Sequence, residues 1–161
     1  TYMENNVSKI NISRKEWILL LLYAKGKEGS FCEPIHGRIK LMKELFILGQ
    51  TIKPQIFYEF VPYLYGPCSF ELYEDLEVLT RERLVDIFDE YKDGHGLYSL
   101  TKEGVEKTQK IFDSLDKTIT DKINQVKIEL NQLSFIDLLK KIYNEYPDFA
   151  KKSMVVLPKE L

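Results

Sequence analysis

Residues 69–104 read SFELYEDLEVLTRERLVDIFDEYKDGHGLYSLTKEG, and this stretch decides the fold. Ser69 is placed to accept a hydrogen bond from a backbone amide at a helix start, and Glu71 lies favourably at the positive end of the helix dipole. Leu72, Leu76 and Leu79 then repeat at helical spacing. Two short runs suited to strands follow, LVDIF and GLYSL, and Asp93-Gly94 between them supplies a turn, so together they predict a β-hairpin. Thr101 caps a further helix beginning KEGVEKTQKIF. Helix, hairpin, helix is half of an architecture.

The other half lies upstream. Ser13-Arg14-Lys15-Glu16 has the spacing of a capping box, in which each side chain covers a free amide at a helix start. The helix runs through WILLLLYAK and is expected to stop at Gly26; its all-round apolar surface puts it in mid-core. Residues 26–35 read as a loop. A second helix fits 36–49, with Ile39, Met42, Leu45 and Phe46 on one face and Arg38, Lys40 and Lys43 largely off it. After Pro54 the run IFYEFVPYLY is aromatic with a proline inside, an extended edge segment that Gly66-Pro67 breaks. Three helices followed by a hairpin and a helix is the order of a winged-helix domain.

From Val105 onward, apolar residues including Phe112, Leu115, Ile119, Ile123, Val126 and Leu130 mark one long amphipathic helix, or two with a break near Asp116–Thr120. That seam suits packing within the domain or pairing of two copies. Ser134 opens a last helix that ends at Pro147. The expected fold is mainly α with a small β-hairpin (winged-helix-like), plus C-terminal helices. Its parts are a tail at 1–12, a winged-helix-like domain at 13–116, C-terminal helices at 117–150 and a tail at 151–161. Met3 reads as the natural first residue.

Composition narrows the function classes. The 161 residues carry 23 Lys and Arg against 25 Asp and Glu, a net charge of −2, so no global basic charge advertises nucleic acid. Two cysteines, Cys32 and Cys68, are too few for a disulfide framework and read as reduced thiols in a cytoplasmic protein. The apolar run 17–24 is far shorter than the ~20 residues that cross a bilayer, so no membrane partner is expected. Cys32, His36, Cys68 and His95 are the only soft metal ligands, and only Cys32 and His36 are close in sequence. Structural zinc sites use tight ligand pairs, so neither a metal nor another cofactor is expected. Phosphate-cradling glycine loops, nucleophile elbows and zinc-protease motifs are missing too, which argues against an enzyme.

Four blocks in order carry a family resemblance: GRIKLMKELFILGQ, YLYGPCSFELYEDLEVLTRERLV, LYSLTKEG and LLKKIYNEYPDFAKKS. They resemble the prokaryotic YwgA-like proteins, which are related to the Panacea domain of SocA-type antitoxins. The matching positions are Lys40, Leu41, Lys43 and Leu45; Tyr65, Gly66, Pro67 and Ser69; Tyr98, Leu100, Thr101 and Gly104; and Ile142, Tyr143, Tyr146 and Pro147. Cys68 departs from the family, which commonly has an aromatic residue or valine after Gly-Pro. The resemblance spans roughly residues 36–153 and implies a non-catalytic prokaryotic regulator or antitoxin-like module.

Charge then weighs the partners. Residues 69–90 hold eight acids and two bases, so the helix that would enter a DNA groove forfeits the counterion-release gain. Glu71, Glu74 and Glu77 are therefore candidates for docking a basic protein partner, against the plainer reading of a solvated face. The competing reading is a dimeric DNA-binding transcriptional regulator, paired through its C-terminal helices. It would use Arg38, Lys40 and Lys43 on the second helix and Lys92 at the wing tip. The aromatic segment 57–65 suits packing, or a platform on which bases stack.

Overall fold

The computed structural model describes residues 11–155 and Leu157. Met3, and the tails apart from residues 11–12, 151–155 and 157, lie outside the described residues. The chain is mainly helical with a small antiparallel sheet, as its sequence predicts. Helix α1 spans Arg14–Tyr23, and its capping box is present: Glu16 N donates to Ser13 Oγ while Ser13 N donates to Glu16 Oε1 at 2.9 Å. Every residue from Trp17 to Tyr23 is buried. The helix stops short of Gly26 because tertiary partners take the next polar groups. Cys32 N donates to Tyr23 O at 2.8 Å, and Lys25 N donates to Asn124 Oδ1 at 3.0 Å.

Strand β1, Ile35–His36, was not legible as a strand. Two residues are too few for a pattern, and they are extended because they pair with a later strand, Ile35 opposite Tyr98 and His36 opposite Leu97. Gly37, at φ 86°, turns the chain into α2, which spans Arg38–Ile52, not 36–49. Lys53 ends it in the left-handed region just before Pro54.

The extended segment becomes strand β2, Val61–Tyr63, antiparallel to β3, Gly66–Cys68. The expected break at Gly66-Pro67 is thus inside a strand, and the turn is made at Leu64-Tyr65. Helix α3 spans Phe70–Arg81, with Ser69 Oγ accepting from Leu72 N. Strand β4 (Val85–Phe88) leads through a short helix α4 (Glu90–Asp93) into β5 (Leu97–Leu100). The main sheet has the order β1-β5-β4. Helix–strand–helix–helix–strand–strand with the last strand central is a winged-helix arrangement, here with the β2–β3 hairpin inserted between α2 and α3.

Thr101 caps α5, Lys102–Asp113; α6 spans Lys117–Asn131 and α7 spans Phe135–Glu145, followed by a 3-10 turn at Pro147–Ala150. The long amphipathic segment is therefore two helices, broken at Ser114–Asp116. Its seam is spent inside the molecule: Phe112, Ile119, Ile123, Val126 and Leu130 join the central core, where α5 packs on α1 and α6 packs on α2 and α1.

The four blocks of the resemblance meet in space. Lys43 Nζ donates to Pro67 O at 2.7 Å. Gly66 has φ 85°, and a Cβ there would press on Leu139 and Tyr143 of α7. Thr101 Oγ1 donates to Arg83 O at 2.6 Å and accepts from Gly104 N. At Gly104 a Cβ would stand 2.1 Å from Leu84 O. These positions hold elements together.

Candidate functional site

Helix α3 buries Leu72, Leu76 and Leu79, which turns Phe70, Glu71, Glu74, Glu77 and Arg81 outward. The four acids on this helix differ in their surroundings. Glu71 pairs with Arg14, and Asp75 accepts a 2.6 Å hydrogen bond from the Tyr58 hydroxyl. Burial, and then that bond to Asp75, push the Tyr58 hydroxyl well above its ordinary range. Glu74 and Glu77 are exposed and form no ion pair among the described residues. Beside them Phe70 packs edge-on against Tyr63, ring centroids 5.2 Å apart. Phe70, Tyr63 and Val61 are 54%, 41% and 51% exposed, an apolar patch that a solvated helix face does not need.

The basic candidates divide: Arg38 and Lys40 line one cleft near the start of α2, whereas Lys43 is buried. Contrary to its expected place on a DNA-facing surface, Lys43 is 2% exposed and bonded to Pro67 O, and burial pulls its pKa down to about 8, so it cannot touch a phosphate. A helical wheel places it off the apolar face, but α2 is wrapped by α1, β3, α6 and α7 and is buried nearly all round. The Arg38 guanidinium lies 4.8 Å from the Tyr73 ring centre, and Lys40 Nζ donates to Asn131 O at 2.6 Å. Lys92 pairs with Asp89 at 3.6 Å.

The aromatic segment divides in two. Phe57 and Phe60 pack against Trp17 and Phe46 and Tyr58 is buried, whereas Tyr63 and Tyr65 are exposed. No continuous stacking platform results.

A cleft of about 780 Å³ opens between the wing and the start of α2, lined by His36, Arg38, Lys40, Tyr65, His95 and Phe135 among others. Asp93 organises the wing side by accepting from His95 N and Gly96 N and by pairing with His36 Nε2. Those bonds hold its carboxyl far below the usual range. The His36 and His95 rings stand 6.0 Å apart, but the cysteines lie elsewhere: Cys68 is buried near Lys43, and Cys32 packs against the main core. Among the described residues no group of three or more His, Cys, Asp or Glu is placed to hold a metal ion, and no helix is long and apolar enough to cross a membrane.

Two buried ionisable groups escaped the sequence reading. Glu44 is fully buried with neither carboxylate oxygen hydrogen-bonded, and burial raises its pKa to about 8. Lys127 of α6 is equally buried, donates to Leu22 O at 2.8 Å, and is lowered to about 8 by burial. Their signal was their spacing. Glu44 stands between Leu41 and Leu48, and Lys127 between Ile123 and Leu130, at steps of three and four.

Compared with known proteins, the chain matches no family model and no curated sequence.

Proposed function

We propose that the chain is a non-catalytic prokaryotic regulatory module of the cytoplasm that docks a basic protein partner on the outer face of α3, as an antitoxin or adaptor does. The observation that carries this reading is the combination of Glu74 and Glu77, both exposed and outside any ion pair among the described residues, with the exposed apolar patch of Val61, Tyr63 and Phe70. An apolar centre edged by unmatched acids favours a protein surface of opposite sign, and charge complementarity speeds and selects such encounters. The same helix in a DNA reader would face phosphates, where those carboxylates repel. Further support comes from the resemblance to YwgA-like and Panacea-domain proteins. The reading uses no catalytic residue and no cofactor. It needs no homodimer through the C-terminal helices, whose seam is internal.

The test is capture from a nuclease-treated prokaryotic lysate with the wild type and with Glu74→Lys/Glu77→Lys. The expected result is a protein retained by the wild type and lost on charge reversal. An identical set of captured proteins with both baits overturns the reading.

A further inference from the structure

Docking on α3 leaves the cleft between the wing and α2 without a role. Its volume of about 780 Å³ lies within the ~300–1,000 Å³ of small-molecule sites. Its walls include flat rings brought from separate elements: Tyr65 from the hairpin turn, Phe135 from α7, His36 from β1 and His95 from the wing. Tyr65 and Phe135 stand edge-on with centroids 6.4 Å apart, as His36 and His95 do at 6.0 Å, so two ring pairs border one space.

The charges on the lining are unbalanced. Among the described residues neither Arg38 nor Lys40 forms an ion pair: Arg38 lies over the neutral Tyr73 ring, and Lys40 donates to a neutral carbonyl, its charge reaching only the buried Glu44 carboxyl without contact. Asp93 is already occupied by His36 and two backbone amides, and Glu90 remains the acid on the lining. The start of α2 adds charge of the same sign. Gly37 provides no side-chain cap and the first turn has no acid, so its free amides and dipole also favour an anion.

We propose that this cleft binds a small mononucleotide-type ligand, its aromatic ring between the aromatic walls and its phosphate at Arg38, Lys40 and the first turn of α2. Two separate anchors predict selectivity, since ring burial and charge-assisted hydrogen bonds contribute together. The proposal is independent of docking on α3, because none of Glu74, Glu77 and Phe70 lines the cleft.

The test is titration of the full chain, by calorimetry and by amide chemical shifts, with AMP, UMP and flavin mononucleotide. Adenosine and inorganic phosphate are titrated in parallel as half-ligands. The expected result is saturable binding of at least one nucleotide, about tenfold or more tighter than either half-ligand, with shifts at residues 36–40, 65, 95 and 135. Arg38→Gln, an exposed change, reduces that nucleotide to the adenosine level, and His95→Ala weakens it severalfold. Saturation by none of the three nucleotides overturns the proposal. So does binding indifferent to Arg38→Gln, or phosphate alone binding as tightly as the nucleotide.

Discussion

Lys43 and Glu44 are neighbours on α2, both buried, and they solve burial differently. The ammonium of Lys43 keeps a partner in Pro67 O, whereas the Glu44 carboxyl has no hydrogen bond and is raised to about 8. Lys43→Met keeps the stem's packing but leaves that carbonyl unpaired, and is expected to cost about 1–3 kcal/mol in urea denaturation. Unchanged stability would contradict the bond's role. Glu44 sets a pH dependence. Its ordinary pKa is 4.5, so from about 4.5 to about 8 the folded chain holds a proton that the unfolded chain has released, and stability falls as pH rises through that window. Lys43 and Lys127, lowered from 10.5 to about 8, act in the opposite sense: the folded chain binds fewer protons from about 8 to 10.5, and stability rises there. Glu44→Gln removes the first effect. Its stability relative to the wild type should improve by roughly 1–4 kcal/mol between pH 5 and pH 8, and a difference independent of pH would count against burial of an unpaired carboxyl. Lys43 could not be read correctly from sequence, because a helical wheel assumes one buried side and α2 has neighbours on most sides.

At the scale of elements, the capped helix starts and the β4–β5 hairpin were legible, and the two-residue strand β1 was not. Ser13, Ser69, Thr101 and Ser134 each cap the helix that follows, and each accepts from the amide three residues on. That chemistry is local, so sequence carries it. Strand β1 depends on β5, more than 60 positions distant, and the early end of α1 on Cys32 and on Asn124 of α6, and no pattern within either element announces them. Gly104 is the most constrained contact between elements. Gly104→Ala puts a methyl group on Leu84 O, so α5 must shift from the hairpin, at about 1–3 kcal/mol of overpacking cost. A thermal melt matching the wild type would show that α5 gives way freely. The acids of α3 should behave oppositely. Glu74→Lys/Glu77→Lys is expected to change stability by no more than ~0.5 kcal/mol, since both side chains are exposed. A large loss would mean that these carboxylates hold the fold and are not free for a partner.

In the whole molecule, the helices at 117–150 share a core with the winged-helix part. Lys127 reaches into α1 to Leu22 O, Lys40 bonds the end of α6, and Asn131 Nδ2 donates to Pro34 O at 3.0 Å. The full chain should therefore melt in one cooperative transition by calorimetry, and two resolved transitions would contradict the shared core. The winged-helix order was legible because caps, leucine spacing and the Asp93-Gly94 turn all agree over residues 69–104. The candidate site was legible only in part. Sequence showed the acids, but the patch of Val61, Tyr63 and Phe70 beside them arises where a hairpin meets a helix, and the cleft arises where β1, α2, the β2–β3 turn, the wing and α7 converge. Helix α3 carries the wrong sign for a DNA groove, and amide chemical shifts of the full chain titrated with a duplex of about 20 base pairs at low salt test this directly. No saturable change across residues 70–81 is predicted; saturable shifts there, weakening steeply as salt is added, would contradict it.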